Sequence, residues 1–477
     1  MDLNKIGKNR QELITAFVFI WFTAVMPLYY KDGYFNILQA KGNAFGLGCL
    51  IAIVLILVFS IRDLSPERSL TDAGQMILAA SALISCVLSG DFFTAFAGYE
   101  GWCVGGFALL AGALIYLWLS RNGEVGKGLW YLFMAVNAFV FVLGICHSMA
   151  IDILGIHEGI AEKQYFWYIA TIGNINWYSG YLCLIMPLMA VRFMGSDERT
   201  ESAVLLIFLI LGEINMVLTE SDSLYLGIGF FAFFCIPYIA SEKKRLERAS
   251  LIVAVYGLAL GAVGMLPAFS YKASDIHGLS GAFLKPYAFI PVIALGITSY
   301  AFFSLRKDGG WKPGRTLTIV LEGILACAAL YFFIDMIRNF GPSWGTNRGR
   351  TWIYSMELFG SFPIVKKLFG VGPEMLAPYF EKLSEQFTRR IIAAHSEPLQ
   401  ILLTSGLAGL TGWILTWAGV FTEFFRKKVL RSKCFGYFGG LAAFFGQSLV
   451  NTPMTTNYGL CILFLGIYIY NLRKIEN

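Results

Sequence analysis

The feature that most constrains this chain is a series of long apolar runs, each about 17 to 25 residues, separated by short polar turns. A helix that spans a membrane needs about 20 mostly apolar residues, because lipid offers no partner for its backbone polar groups. About fourteen such runs predict an all-α fold, a polytopic membrane helical bundle with about 14 transmembrane helices. The predicted spans are 13–30, 43–61, 70–90, 102–119, 129–149, 177–194, 202–219, 224–240, 250–267, 283–304, 316–334, 399–422, 435–450 and 456–472.

Composition excludes an ordinary soluble enzyme. The chain is 57% hydrophobic and 14% charged, whereas soluble globular proteins carry about 25% charged residues. Its nine cysteines are scattered without a Cys-x-x-Cys pair, so the sequence indicates neither a disulfide framework nor a zinc site. It also lacks a P-loop and a dinucleotide-binding glycine motif. We therefore assign no metal ligand and no cofactor from the sequence.

The distribution of basic residues predicts the orientation of the bundle. Lys and Arg collect on the cytoplasmic side of short loops. Alternate loops, together with both terminal segments, hold 24 of the 37 Lys and Arg residues. This pattern predicts a multi-pass protein of the cytoplasmic membrane with both termini in the cytoplasm. The net charge of +6 reflects these anchors, so it is no evidence for nucleic-acid binding.

One connection is much longer than the others, the 64 residues of segment 335–398. It divides the chain into a transmembrane bundle of about 11 spans at 1–334, an extracytoplasmic loop at 335–398, and about 3 further spans at 399–477. A long loop in a compact domain is usually functional or disordered, and this one has the composition of a folded cap. The long loop is therefore expected to carry the catalytic residues.

Within the long loop, apolar residues recur at three- and four-residue steps over 375–391 and predict an amphipathic helix that lies on the membrane or on the bundle. A shorter helix is predicted over 351–362. The glycine-rich turn at 369–373 must bend the chain back between them.

His395 has the most suggestive position among the four histidines. It lies just before a long span, where Ser396 is a plausible N-cap, so the imidazole would lie beside the positive end of a helix dipole. Such a position disfavours the imidazolium form. A neutral imidazole can take a proton from a sugar hydroxyl, as a general base in glycosyl transfer must. The alternative is a surface histidine at the membrane interface.

Four arginines in the long loop are candidates for binding phosphate: Arg348, Arg350, Arg389 and Arg390. Guanidinium groups match phosphate oxygens in pairs and keep their charge, so a cluster outside the membrane could hold a pyrophosphate leaving group. The alternative is a solvated helix face on which Arg389 pairs with Glu385 at i, i+4 spacing.

A segment before a central span combines amides with an aromatic side chain, at Asn174, Asn176 and Trp177. Such side chains bind sugars by hydrogen bonding to hydroxyls and by ring stacking, although an interfacial aromatic belt explains the ring almost as well. Glu213 lies inside a predicted span, where charge is costly. A proton relay, a substrate carboxylate and a structural hydrogen bond between helices all fit this residue.

These segments, in this order, resemble the O-antigen ligase/polymerase family of bacterial membrane glycosyltransferases. The most specific part is 345–412, and the remainder agrees mainly in the layout of spans. The resemblance rests on Gly173-Asn174, Asn176-Trp177, Thr219, Ser221, Arg348-Gly349-Arg350-Thr351-Trp352, Phe369-Gly370-Val371-Gly372-Pro373, Ala394-His395-Ser396-Glu397-Pro398-Leu399-Gln400-Ile401-Leu402 and Ser405-Gly406-Leu407-Ala408-Gly409-Leu410.

The resemblance implies a metal-independent inverting glycosyltransferase that uses undecaprenyl-pyrophosphate-linked glycans and a glycan, lipid or protein acceptor. A loop arginine at the pyrophosphate maps to Arg348, and a catalytic base maps to His395; the other loop arginines are weaker matches. The chain departs from the family pattern at two places. Ser396 follows the loop histidine where Asn is frequent, and Asp222 follows the hairpin serine where Arg is frequent.

The sequence leaves three interpretations of the function open. Within the family, a polymerase joins repeat units and a ligase transfers the finished chain; the number of spans favours a polymerase. A flippase for the same lipid-linked sugar would also have many spans and buried charges, but such transporters tend to show repeated halves and broken helices. A sensor or scaffold would give no role to the histidine and arginine cluster.

Overall fold

The computed structural model describes residues 3–59, 69–98, 103–274, 276–306, 315–387, 391–427 and 432–476. This part of the chain is almost wholly helical, which confirms the all-α prediction. The helices are α1 (Leu3–Ile20), α2 (Met26–Leu28), α3 (Ile37–Phe59), α4 (Leu70–Leu88), α5 (Phe92–Ala97), α6 (Gly106–Asn122), α7 (Lys127–Ser148), α8 (Ile175–Gly195), α9 (Arg199–Leu218), α10 (Asp222–Ile239), α11 (Lys243–Met265), α12 (Ser270–Ala273), α13 (Gly278–Phe283), α14 (Pro286–Leu305), α15 (Arg315–Asn339), α16 (Trp344–Ser361), α17 (Ile364–Phe369), α18 (Glu381–Phe387), α19 (Glu397–Lys427), α20 (Ser432–Ser448) and α21 (Thr455–Glu476). A two-residue antiparallel ladder pairs β1 (Tyr168–Ile169) with β2 (Gly173–Asn174) just before α8.

Twelve helices within the described ranges are long and apolar enough to cross a membrane. The protein is therefore a multi-pass membrane protein. The other two predicted spans, at 102–119 and 435–450, correspond to α6 and α20, which have 17 residues each. A helix of this length extends about 26 Å, slightly less than the roughly 30 Å hydrocarbon core of a bilayer.

Helix α8 lies at the centre of the bundle and is buried along nearly its whole length. Its sequence is apolar on all sides, as expected of a helix surrounded by others. Helices α9, α10, α20 and α21 pack around it. By contrast, none of the described side chains of α15 is buried, which is the environment of a helix that faces lipid acyl chains.

Helices α4 and α19 approach each other closely through small residues. A Cβ atom at Gly74 would lie 2.3 Å from the Thr416 backbone nitrogen, and one at Gly412 would lie 2.5 Å from the Leu78 nitrogen. Small residues at this spacing let two helix backbones come together, which favours association where there is no hydrophobic driving force between helices. This contact fixes α19 in the bundle.

A charged cluster links three helices at one end of the bundle. The carboxylate of Asp72 accepts hydrogen bonds from the hydroxyl of Tyr116 at 2.7 Å and from guanidinium groups of Arg121 at 2.7 Å and Arg473 at 3.2 Å. Asp72 is only 1% exposed. A buried carboxylate with this many charge-assisted bonds ties the start of α4 to the ends of α6 and α21.

The segment between α15 and α19 is folded against the start of α19. Helix α16 ends at Ser361 and covers the helix predicted over 351–362 except for its last residue. The aromatic and aliphatic side chains of the segment form one cluster with Leu399 and Leu403. The members of this cluster are Tyr354, Leu358, Phe359, Phe362, Val371, Met375, Leu376, Tyr379, Phe380, Leu383, Ile391, Ala394, Leu399 and Leu403.

The prediction of one amphipathic helix over 375–391 is wrong. Residues 373–377 form turns, Pro378–Phe380 is a 3₁₀ turn, and the α-helix covers Glu381–Phe387. Pro378 lacks a backbone N–H and stands at the start of the 3₁₀ turn, a position that tolerates proline, whereas the interior of one long helix does not. The apolar residues of 375–391 nevertheless pack in the cluster with Leu399 and Leu403, as their spacing predicted.

Candidate functional site

The site is built around the start of α16, where the chain reverses direction just before Arg348. Gly345, Thr346 and Asn347 have φ values of 58°, 56° and 72°, in the left-handed region. Left-handed backbone at a non-glycine residue costs about 1 to 3 kcal/mol and tends to occur at functional sites. At Gly349, a Cβ atom would lie 2.0 Å from the Gly341 carbonyl oxygen, so this close approach requires glycine.

The reversal folds the Arg348 guanidinium back over the turn. Its Nη1 donates to the Gly345 carbonyl oxygen at 3.2 Å and to Thr346 Oγ1 at 3.3 Å, and its Nη2 donates to Asn451 Oδ1 at 3.1 Å. The Nε–H is buried and makes no hydrogen bond to the described residues. Burial lowers the pKa of the Arg348 guanidinium, the negative charge of Asp222 opposes that shift, and the group stays charged.

Arg348 is half-buried, and its Nε–H is a buried donor that no described protein acceptor uses. An unmade hydrogen bond to a buried charged group costs free energy, which an anionic ligand would recover. Phosphate oxygens match the fork of an arginine and carry the opposite charge. The Nε–H of Arg348 is thus a donor that a phosphate oxygen could accept, and the negative charge of Asp222 acts on the same guanidinium.

A chain of hydrogen bonds connects Arg348 to the start of α8. Asn451 donates from Nδ2 to Ser223 Oγ at 2.7 Å, Ser223 and Ser221 share a hydrogen bond of 2.7 Å, and Ser221 Oγ donates to Asn176 Oδ1 at 2.9 Å. Arg348, the Ser221 hairpin and Asn176 come from three distant parts of the sequence, and the structure brings all three together. Sequence reasoning identified these three regions separately.

Two residues of this network, Asn451 and Ser223, were missed by sequence reasoning. Asn451 follows the end of α20 in the connection to α21, and Ser223 lies in the first turn of α10. A lone Asn or Ser beside a span is an ordinary interfacial residue, so no local pattern marked them. Their hydrogen bonds connect positions 103 and 228 residues apart in sequence.

Asn174 and Trp177 have structural contacts in the described part of the chain. Asn174 Oδ1 accepts from the Asn176 backbone nitrogen at 2.9 Å and so caps the N-terminus of α8. The Trp177 side chain packs against the cluster of Tyr34, Ile37 and Ile156, and the Trp177 backbone carbonyl accepts from Asn457 Nδ2 at 2.9 Å. Both residues thus position Asn176 at the start of α8.

His395 lies in the short stretch that leads into α19. Its φ of 52° is left-handed, and the next residue, Ser396, occupies the N-cap position of α19, as predicted. The Ser396 carbonyl accepts from the Gln400 backbone nitrogen at 2.8 Å, and Gln400 Oε1 accepts from the Ala394 backbone nitrogen at 2.9 Å. The backbone on both sides of the imidazole is therefore fixed by the first turn of the helix.

Two carboxyl groups of this region were not singled out as site residues from the sequence. Glu397 begins α19, and the side chains of Ser448 and Trp413 face its carboxyl group. Glu374 follows the glycine-rich turn, and burial raises its pKa to about 8. A carboxyl group with such a pKa is protonated at neutral pH and can donate a hydrogen bond.

The glycine-rich turn at 369–373 is held against a break in α19. Val371 N donates to the Leu403 carbonyl at 3.0 Å and Gly372 N donates to the Thr404 carbonyl at 3.0 Å. Gly406, with φ 69° and ψ −167°, interrupts the helix there. Because these protein contacts satisfy freed carbonyls, irregular backbone is tolerated inside the bundle. The short helical piece after His395 is thereby locked to the turn.

The remaining predicted residues are less informative. Arg350 lies two residues beyond Arg348 on α16, and its backbone nitrogen donates to the Pro342 carbonyl at 3.0 Å. Arg389 and Arg390 lie outside the described residues. Glu213 is 3% exposed inside α9, and its Oε2 makes no hydrogen bond to the described residues.

The chain matches no protein-family model and no curated protein sequence.

Proposed function

We propose that this protein is a membrane glycosyltransferase of the O-antigen ligase/polymerase type, acting on undecaprenyl-pyrophosphate-linked oligosaccharides in cell-surface polysaccharide synthesis. The observation that carries the proposal is the half-buried guanidinium of Arg348, whose Nε–H has no described acceptor, and its hydrogen-bonded connection to Asn176. These are residues of three segments on which the resemblance rests. A site for a pyrophosphate beside amides that bind sugar hydroxyls suits a lipid-linked glycan donor.

The reaction follows from the chemistry of that donor. An acceptor hydroxyl oxygen attacks the anomeric carbon, the bond from that carbon to the pyrophosphate oxygen breaks, and the pyrophosphate leaves on its lipid carrier. The acceptor proton passes to the imidazole of His395. Arg348 stabilises the negative charge of the leaving group, with Arg350, Arg389 and Arg390 as further arginines of the segment. Attack opposite the leaving group inverts the anomeric configuration.

The activated donor supplies the energy of the reaction, so the proposed step needs no ATP, metal or cofactor. The acceptor is a second glycan, a lipid or a protein. Among these, we favour joining of repeat units, a polymerase, because of the number of spans.

The proposal places the protein in the cytoplasmic membrane with both termini and the Asp72 cluster on the cytoplasmic side. Helix α21 supports a separation of the two ends, since it starts beside the Arg348 network at Asn457 and ends at Arg473 in the Asp72 cluster. The loops at the Asp72 end hold the excess of Lys and Arg. The Arg348 end would then face outward, where lipid-linked glycans are joined.

A second candidate function is a flippase for lipid-linked oligosaccharide or another polysaccharide transporter. The break in α19 at Gly406 favours it, because interrupted helices frequently line the substrate path of transporters. In such a protein Arg348 would bind the pyrophosphate during transport, with no glycosidic bond formed.

Deleting the gene in its host and sizing the surface and lipid-linked glycans on a gel separates these functions. A polymerase predicts collapse of the long ladder to single repeat units. A ligase predicts long chains that stay on the lipid carrier, and a flippase predicts single units held on the cytoplasmic side. An unchanged ladder, in a host without a second copy of the gene, would overturn the glycan proposal.

A further inference from the structure

A cluster of two histidines and an aspartate lies where α7 ends and the connection to α8 begins. His147 is in the last turn of α7, and Asp152 and His157 follow at five-residue steps. The two imidazole rings are 4.6 Å apart between centroids. The nitrogen and oxygen atoms that these three residues offer lie within 4.8 Å of one another.

Two separations inside this cluster are longer than ordinary hydrogen bonds and close to those of ligands around one ion. His147 Nε2 lies 3.5 Å from Asp152 Oδ1, and His157 Nδ1 lies 3.6 Å from Asp152 Oδ2. Hydrogen bonds of this type are about 2.7 to 3.2 Å long. Two ligands bound tetrahedrally at about 2.0 to 2.1 Å from a zinc ion lie roughly 3.3 to 3.4 Å apart.

The opposite sides of both rings are held by other groups, which defines the atoms that face the aspartate. Tyr34 donates its hydroxyl proton to the Ala170 carbonyl, so its oxygen accepts from His147 Nδ1, 3.2 Å away. His157 Nε2 is 3.3 Å from the Tyr168 carbonyl, which can only accept. In the tautomers in which His147 Nδ1 and His157 Nε2 carry the proton, each ring presents a lone pair to Asp152, at Nε2 of His147 and at Nδ1 of His157.

The aspartate is held in the same way. Its Oδ1 accepts from the Ile156 backbone nitrogen at 3.0 Å and its Oδ2 accepts from the His157 backbone nitrogen at 2.7 Å. Partners of this kind around the ligands are what orient metal-binding side chains. The His147 side chain is 1% exposed, and its Nε2 makes no hydrogen bond to the described residues. Two lone pairs and a carboxylate thus converge on a space that suits a cation.

We propose that His147, Asp152 and His157 bind a divalent transition-metal ion, with Zn²⁺ the ion whose ligand preferences fit best. Two imidazoles and one carboxylate form a donor set that Zn²⁺ accepts, whereas Mg²⁺ and Ca²⁺ prefer sites made of oxygen ligands alone. The Asp152 side chain is 22% exposed, so solvent reaches one edge of the cluster.

The ion would hold the connection between α7 and α8 in place. It links His147 at the end of α7 to Asp152 and His157 in that connection. The two tyrosines beside the imidazole rings, Tyr34 and Tyr168, lie in neighbouring segments. Tyr168 pairs in the short ladder with Asn174, the capping residue of α8. The metal therefore has a structural role at the base of the segment that carries Asn176, and it takes no part in the proposed transfer step.

Metal content measures this proposal without any glycan. The full chain is purified in detergent with an affinity tag that contains no histidine, dialysed, and analysed by mass spectrometry for metals. We expect about one equivalent of zinc per chain. Stripping with a chelator should lower the midpoint of thermal unfolding, and added Zn²⁺, but not Mg²⁺, should restore it, because an ion that binds only the folded state stabilises it.

His157→Gln removes one ligand and keeps a polar side chain of similar size. We expect this variant to lose the bound zinc, whereas His277→Gln, which removes a histidine outside the cluster, should retain it. Zinc at full occupancy in His157→Gln would overturn the proposal. So would a wild-type protein that binds no metal and whose unfolding midpoint Zn²⁺ leaves unchanged, a result that does not depend on how either variant folds.

Discussion

Arg348 and Asn451 are 103 residues apart in sequence, and a hydrogen bond of 3.1 Å joins them. This bond connects the start of α16 to the turn between α20 and α21. Asn451 in turn donates to Ser223, so its amide uses its oxygen for the cation and its nitrogen for the hairpin. The amide thus couples the position of the proposed pyrophosphate-binding group to the segment that reaches Asn176.

Asn451→Ala should lower glycan transfer more than it lowers stability. The change removes one acceptor from the Arg348 guanidinium and lets it move away from the proposed phosphate position, for an expected loss of about 10-fold or more in rate. Rate and thermal unfolding midpoint are measured on the same detergent preparation. Asn471→Ala is the control, because the Asn471 side chain donates to Ile467 within its own helix. Equal activity of Asn451→Ala and wild type would contradict this role.

Asp72→Asn should destabilise the protein strongly. Asp72 accepts from two arginines and a tyrosine in a buried position, and removing one charge from such a cluster typically costs about 3 to 5 kcal/mol. The expected result is a clear fall in the thermal unfolding midpoint. Asp197→Asn breaks an ion pair with Lys244 at an exposed carboxylate and should change the midpoint little. Similar falls in the unfolding midpoint for the two substitutions would show that the buried cluster stabilises the protein no more than an exposed ion pair does.

Gly406→Ala should disrupt the contact between α19 and the last turn of α17. At φ 69° and ψ −167° the backbone of Gly406 is in a region that only glycine adopts readily, and a Cβ atom would lie 2.3 Å from the Leu368 carbonyl carbon. We expect a lower unfolding midpoint and loss of transfer. Gly360→Ala is the matched control, since a Cβ atom there meets nothing within 4 Å and alanine favours a helix by about 0.5 to 1 kcal/mol. An unchanged Gly406→Ala protein would contradict the described packing.

Glu374 predicts a pH dependence of stability. Its pKa in the folded protein is about 8, above the ordinary value of 4.5. The unfolded chain therefore loses this proton first as pH rises, so the contribution of Glu374 is fully present below about pH 4.5 and is lost as pH approaches 8.

Glu374→Gln should remove that part of the pH dependence, because glutamine stays neutral. The unfolding midpoint of wild type and variant is followed between pH 5 and pH 8, the interval set by the two pKa values. The variant should lose less stability across the interval than wild type. Glu381→Gln, at an exposed position of α18, serves as the control. Parallel curves for wild type and Glu374→Gln would contradict the raised pKa.

Much of the fold could be predicted from the apolar runs and the local motifs, because the formation of a helix depends mainly on residues close in sequence. Run length predicted the spans, and the pattern over 351–362 predicted the helix inside α16. The pattern over 375–391 predicted burial correctly but not the helix, because apolar spacing takes no account of Pro378, which lacks the N–H that a helix interior needs.

The site was less predictable because its contacts join distant segments. The sequence marked Arg348 and Asn176 separately, and only the fold connects them through Ser223 and Asn451. The positions of His147 and His157 likewise carried no motif, since their five-residue steps around Asp152 match no common metal-binding spacing. Their convergence depends on the path of the chain between α7 and α8.

Glycosidic bond formation in membranes tests the central claim most directly. Membranes from a deletion host carrying wild type, Arg348→Ala or Arg338→Ala, at matched protein levels, are supplied with undecaprenyl-pyrophosphate-linked repeat units. Arg338 is exposed at the end of α15 and controls for loss of an arginine. We predict longer glycans from wild type and Arg338→Ala. The rate of transfer by Arg348→Ala should fall by at least about 10²-fold. Full transfer by Arg348→Ala, or transport of the lipid by wild type without bond formation, would contradict the account.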